Sequence, residues 1–183
     1  RAAGTRGISG DVMDGHCVPN LRFGPDHVRM VKARGDIIVD LGRTEGILPK
    51  AERIPYEEYQ QGDRIQAYVV EVRKGLRGAE IILSRAHEGF IRGLFALEVP
   101  EVADGTVEIK GLAREAGDRT KIAVSSTDEK VDSQGACIGV RGTRVKNIVR
   151  ELHGEKVDVV RWDAHITRYL EAALAPAQVA EIR

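Results

Sequence analysis

Aromatic residues are scarce in this chain: Phe, Trp and Tyr together make 4% of its 183 residues. Any core must be built mainly of Val, Ile, Leu and Ala, and a surface that binds bases by stacking has few rings to use. Cysteine is nearly absent. Cys17 and Cys137 make neither a disulfide framework nor a metal quartet, which points to a reducing compartment. Cys137 falls on the apolar side of an expected helix and reads as a small core residue rather than a reactive thiol. Excess charge of either sign is missing too, with 28 basic against 28 acidic side chains. That argues against strong polyanion binding by the whole surface. No apolar run approaches the ~20 residues of a membrane span, and no secretory leader is visible. His16, His27, His87, His153 and His165 show no ligand spacing. There is no P-loop, nucleophile elbow or His-Glu-x-x-His motif. Asp11, Asp14 and His16 lie close together but read as polar loop residues. These absences lead us to expect a cytoplasmic protein that is not an enzyme, with no catalytic residue, no metal site and no cofactor. Because the chain begins without Met and stops abruptly, it reads as a fragment of something longer.

What is present is local. Residues 134–154 hold the turn Gly139-Val140-Arg141-Gly142 at the mouth of an amphipathic segment. Val145, Ile148, Val149 and Leu152 recur at i, i+3, i+4 and i+7 and share one helix face. Between Ile138 and Arg150 stand Arg141, Arg144, Lys146 and Arg150, and no acid. Two glycines let another chain pass close to the turn. A helix N-terminus offers free N–H groups to phosphate. This is the physical content of a KH loop, which clamps about four nucleotides of single-stranded RNA or DNA. Arg141, inside the turn, is expected to meet phosphate or stack on a base, with Arg144 and Lys146 flanking the groove. Arg150, a full turn further on, reads as a solvated face. Glu98, Glu101 and Asp104 form a small acidic run that lies, in sequence, well away from this basic turn.

Residues 28–85 read as all-β. Val28–Ala33 and Asp36–Leu41 alternate around Arg34-Gly35, a hairpin signal. Gly42–Gly46 turns into Ile47-Leu48, and Pro49 stops that strand. A long strand is expected over Arg64–Arg73, a turn over Gly75–Gly78, and a return over Ala79–Arg85. Short strands with glycine turns suggest a small barrel. Its candidate binding residues are Tyr68, the best-placed aromatic, and Arg73 among the cations Arg64, Arg73, Lys74, Arg77 and Arg85, most of which read as solvated strand ends. Tyr56 and Tyr59 share a loop with Glu57 and Glu58, which disfavours stacking on RNA. The period then changes. Residues 88–97 suit a short helix ended by Pro100. Strands are expected over Thr106–Ala113, Lys121–Ser125 and Lys156–Arg161, with Gly154 stopping the helix after the turn. Helix, strand, strand, helix, turn, helix, strand is the order of a type II KH fold, a three-stranded sheet with helices on one face. Residues 165–174 are helical again until Pro176 and have no later partner in the chain.

Several longer stretches carry a family resemblance. They are Asp36–Gly42 with Glu45–Pro49, Leu94–Val102 with Ile109-Lys110, Gly117–Val124, and Gly135–Gly142 through Gly154–Trp162. Ala173–Ala177 fits a segment leading into a second KH domain. From Gly35 to Arg161 the chain resembles the RNA-binding part of the NusA family of bacterial transcription factors. The resemblance implies a multidomain α+β protein. A small five-stranded barrel of the S-one oligonucleotide-binding (OB) type would occupy 1–86, a type II KH domain 87–163, and the start of a second, truncated KH domain 164–183. It implies contact with nascent single-stranded RNA beside RNA polymerase, and a role in pausing, termination and antitermination. Polymerase would be held mainly through an N-terminal domain absent here, and other antitermination factors are further implied partners. One departure stands out. Ile8-Ser9-Gly10 resembles the start of the first barrel strand and Val28–Lys32 its end, so residues 11–27 read as an inserted loop. The competing reading is an accessory RNA-binding module of a ribonuclease. In phosphorolytic nucleases that look like this the KH domain precedes the barrel, whereas here the barrel comes first.

Overall fold

The computed structural model describes residues 28–30, 35–42, 44–75, 78–177 and 179. The expected start of the first strand at Ile8, the inserted loop 11–27 and Cys17 lie outside these residues, as does Arg77. The described chain is α+β, with two sheets and five helices.

The first sheet contains β1 (Val28–Met30), β2 (Ile37–Asp40), β3 (Glu45–Leu48), β4 (Tyr68–Gly75) and β5 (Gly78–Ser84), in the order β1-β2-β3-β5-β4. β1, β2 and β3 pair antiparallel in sequence, β3 lies parallel to β5, and β4 and β5 form an antiparallel hairpin. Period-2 burial of β2 and β3 gives the core Ile37, Val39, Leu41, Leu48, Tyr59 and Leu83. Gly46 is required where β3 crosses this core, because a Cβ there would lie 2.6 Å from Leu83 Cδ1.

The expected strand from Arg64 begins only at Tyr68. The ladder explains the difference. Tyr68 faces Ser84, the last residue of β5, and beyond it the partner chain leaves the sheet. Arg85 and Ala86 donate their backbone N–H groups to Glu52 O instead, and Gln66 O accepts from the Arg85 side chain. Ile65 and Ala67 still pack against the core, but without strand pairing.

The second sheet is β6 (Val107–Glu115), β7 (Arg119–Ser126) and β8 (Lys156–Arg161), in that order, with β6–β7 antiparallel and β7–β8 parallel. Helices α1 (Glu88–Glu98), α3 (Ser133–Ile138) and α4 (Thr143–Glu151) bury Phe90, Ile91, Leu94, Phe95, Cys137, Ile148 and Leu152 against Val107, Ile122, Val124 and Val159. Val145 packs at the edge of this core, and Val149 is half-buried. Ile54, from the loop after β3, belongs to the same core, so the two halves of the chain interlock.

The helix expected over 88–97 is α1, which stops at Glu98 before Pro100, and Pro100 then opens a second short helix, α2 (Pro100–Ala103), as its first residue. Proline fits there because the first helical N–H has no intrahelical partner to lose. α5 (Ile166–Leu174) packs on the opposite side of the second sheet, where a Cβ on Gly111 would lie 3.3 Å from Tyr169 Oη and where Lys121 Nζ donates to Ala173 O.

Candidate nucleic-acid interface

The turn between α3 and α4 is built from left-handed backbone. Gly139 has φ 74° and ψ 170°, a combination open essentially to glycine. Arg141 has φ 55° and ψ 24°, and Gly142 φ 73° and ψ 22°. A non-glycine residue in this region bears a cost of about 1–2 kcal/mol. Arg141 bears it, and its guanidinium makes no hydrogen bond or ion pair among the described residues. Val140 is 80% exposed, far more than a valine gains from any packing role. Lys146 is exposed, and its Nζ donates to Arg141 O at 3.2 Å. α4 has no side-chain cap and no acid in its first turn. Its leading N–H groups therefore add positive potential at the turn. Gly139, Val140, Arg141, Gly142 and Lys146 thus converge on one small, cationic, protruding feature.

Arg144 is placed differently. Its Nη1 donates to Glu101 Oε2 at 2.9 Å and to Ala136 O at 2.6 Å. The acidic run is therefore not remote from the basic turn: Glu101 on α2 pairs with Arg144, and Asn147 Nδ2 donates to Glu98 Oε2 at 3.1 Å. Packing of α1 and α2 beside α4 brings together residues more than 40 positions apart, a proximity the sequence separation concealed.

The candidates on the first sheet and its edge also differ from one another. Tyr68 is half-buried and stacks on His87, with ring centroids 5.0 Å apart and planes 4° from parallel. It lies over Gly89, whose added Cβ would sit 2.5 Å from Tyr68 Cζ, so its ring is held against the start of α1. Arg73 is exposed and pairs with Glu71 at 2.7 Å. Val70 and Val72 on the same strand are exposed apolar neighbours. Tyr56 is fully exposed, whereas Tyr59 is buried and donates to Glu57 Oε2.

Arg85 is a residue that sequence reasoning misplaced. Expected as a strand end in solvent, it is 0% exposed. Its Nε and Nη2 donate to Glu57 at 2.9 and 2.6 Å. Its Nη1 donates to Gln66 O and to Glu151 Oε1, and its Nη2 also to Glu151 O at 2.9 Å. The guanidinium also lies 4.8 Å from the Phe90 ring centroid. Burial alone would lower its pKa, but hydrogen bonds and charges from Glu57 and Glu151 outweigh that and raise it. A second buried pair lies beside it: Arg114 grips Glu155 with two bonds of 2.9 Å, and Arg114 Nη1 donates to Arg85 O at 2.8 Å. Burial pushes the Glu155 carboxyl upward, yet bonds from Arg114, Gly117 and Thr120 bring it below the usual carboxylate range. No sequence signal marks either pair, since the partners lie 28 to 66 residues apart. Together they clamp the loop after β3 and the end of β5 to the C-terminal end of α4 and to the second sheet.

Among the described residues no cluster of His, Cys, Asp and Glu is arranged to hold a metal ion. No helix there is long and apolar enough to cross a membrane.

Comparison with known proteins matches residues 85–162 to the model of the NusA-like first KH domain. The transcription termination/antitermination protein NusA of Halalkalibacterium halodurans is 50% identical over 146 residues, covering 80% of this chain and 38% of that protein. The Bacillus subtilis protein of the same name is 47% identical over 146 residues, covering 80% of this chain and 39% of its own. That of Thermus thermophilus is 46% identical over 155 residues, covering 85% and 40%. The chain thus spans about two fifths of the length of the curated relatives it matches.

Proposed function

By its KH domain at residues 85–162 the chain belongs to the NusA family, and from that premise we propose that it is the RNA-binding region of a bacterial transcription factor. It contacts nascent single-stranded RNA beside RNA polymerase and modulates pausing, termination and antitermination in the cytoplasm. Relatives that share 46–50% identity are named transcription termination/antitermination proteins, which supports this reading. Nothing in the chain favours the accessory ribonuclease module over it.

The observation that carries RNA binding is the exposed turn Gly139–Gly142. Side-chain-free positions at both ends, an exposed Val140 and an Arg141 guanidinium with no partner among the described residues suit a sugar–phosphate backbone passing close to the main chain. Lys146 adds charge beside it. RNA is held by phosphate contact with limited base readout. The exposed β4 strand, with Arg73, is a weaker second surface. Tyr68 contributes there through its packing against His87 rather than by stacking on bases.

The domain arrangement follows the same proposal: a barrel-type unit over 1–86, a type II KH domain over 87–163, and the beginning of a second KH domain over 164–183. The strand order β1-β2-β3-β5-β4, with a single parallel pair between β3 and β5, suits an open or closed S-one-type OB barrel.

Fluorescence anisotropy with a labelled single-stranded RNA tests the site. Wild type is expected to bind saturably, and the Val140→Asp/Arg141→Asp variant to lose binding while unfolding at the same urea concentration. Loss of Arg141 alone should lower the salt slope by about 1. Equal binding by wild type and the folded double variant would overturn the assignment.

A further inference from the structure

We propose that Arg144 is a positioning residue for the RNA-binding turn, anchored by Glu101, and that it does not itself meet phosphate. This inference rests on the reading of Gly139–Gly142 as the RNA seat.

Three observations carry it. First, the Arg144 head is already engaged: Nη1 donates to Glu101 Oε2 at 2.9 Å and to Ala136 O at 2.6 Å. Ala136 lies in the last turn of α3, where carbonyls lack intrahelical partners, so Arg144 caps the helix that leads into the turn. Second, the Arg144 stem lies across the turn itself. A Cβ added to Gly139 would sit 2.8 Å from Arg144 Cγ and 3.0 Å from its Cδ. The missing side chain of Gly139 is therefore the space this stem occupies, in addition to what its φ requires. Third, the anchor comes from elsewhere in the fold. Glu101 is in the first turn of α2, and the pair is only about one-third exposed on each side. Moving the guanidinium to a phosphate would surrender both bonds, uncap α3 and leave Glu101 unpaired beside the RNA. Arg141, by contrast, has no such engagement among the described residues and sits within the turn itself.

Arg144 therefore holds the end of α3, the turn and the start of α4 in one geometry before RNA arrives, so that ordering is not left to the binding step. The acidic residue paired with Arg144 thus supports RNA binding instead of opposing it.

RNA anisotropy over a range of salt concentrations tests this on Arg144→Met, Arg144→Lys, Glu101→Ala and the Arg144→Met/Glu101→Ala pair. Val140→Asp/Arg141→Asp serves as the site control. Met keeps the stem over Gly139 and removes the head, so a role in packing alone predicts wild-type binding by Arg144→Met. Positioning by the head predicts about tenfold weaker binding by Arg144→Met and by Glu101→Ala, the effect of losing one charge-assisted bond. It also predicts an unchanged salt slope, recovery in Arg144→Lys, and a pair no weaker than either single variant. If Arg144 meets phosphate, Glu101→Ala frees it and binding tightens, while Arg144→Met lowers the salt slope by about 1. That result overturns the inference and leaves the site reading intact. Wild-type binding by the site control overturns both.

Discussion

Replacing Arg85 with methionine removes a fully buried guanidinium whose five N–H groups all have acceptors, on Glu57, Gln66 and Glu151. Methionine fills part of the same space beside Phe90, so little apolar contact is lost. The cost lies in what remains. The Glu57 side chain is 1% exposed and keeps only the Tyr59 hydroxyl and His153, whose Nδ1 lies 2.6 Å from Oε1. Breaking one side of such a buried pair costs about 3–5 kcal/mol, a large part of a typical domain's ~5–15 kcal/mol. Urea unfolding of the whole chain followed by tryptophan fluorescence reads this as a lower midpoint at unchanged slope. A Glu57→Gln/Arg85→Met pair should recover part of the loss, because the uncompensated charge is gone. Arg73→Gln, which breaks an exposed pair, should leave the midpoint where it is. A loss below about 1 kcal/mol for Arg85→Met would refute the claim that this network joins the two halves of the chain.

Acid should destabilise the protein partly through Glu155. Its folded pKa is depressed, so its contribution is full above the unfolded carboxylate value and is lost as pH falls through the folded one. Glu155→Gln should flatten that part of the stability–pH curve, and a curve unchanged in shape would contradict the assignment. Arg141→Gly relieves a left-handed arginine and should raise stability by about 1 kcal/mol while weakening RNA binding. Calorimetry and anisotropy on one preparation check both signs. Burial, reinforced by Glu101, pushes the Cys137 thiol up to about 11. In a Cys17→Ser background, a thiol reagent at neutral pH should modify Cys137 only on unfolding, and rapid labelling of the native protein would refute its burial.

Much of the fold was legible because it is written in short-range pattern. Period 2 in Ile37–Asp40 and Val107–Lys110, the change of period at Phe90, and glycines at left-handed turns each report on their own neighbourhood. The turn at Gly139–Gly142 was legible for the same reason, since backbone freedom, charge and helix phase all fall within a dozen residues. What was not legible depends on distant partners. Arg85 is indistinguishable in sequence from a solvated strand end, and only Glu57 and Glu151 make it a buried hub. Arg144 and Arg141 are equal as residue types, but Glu101 lies beside one and not the other. Tyr68 looked like a free ring on a strand until His87 and Gly89 closed over it. Pro100 marked the end of α1 correctly, but that the same proline also begins α2 was not read from the sequence.

The central claim is that RNA is seated at the Gly139–Gly142 turn, and amide chemical-shift mapping during RNA titration tests it most directly. Shifts are expected at Gly139 through Lys146, with little change at Val70, Val72 and Arg73 on β4. Shifts confined to β4 and β5, with the turn silent at saturation, would contradict the claim and move the RNA to the first sheet.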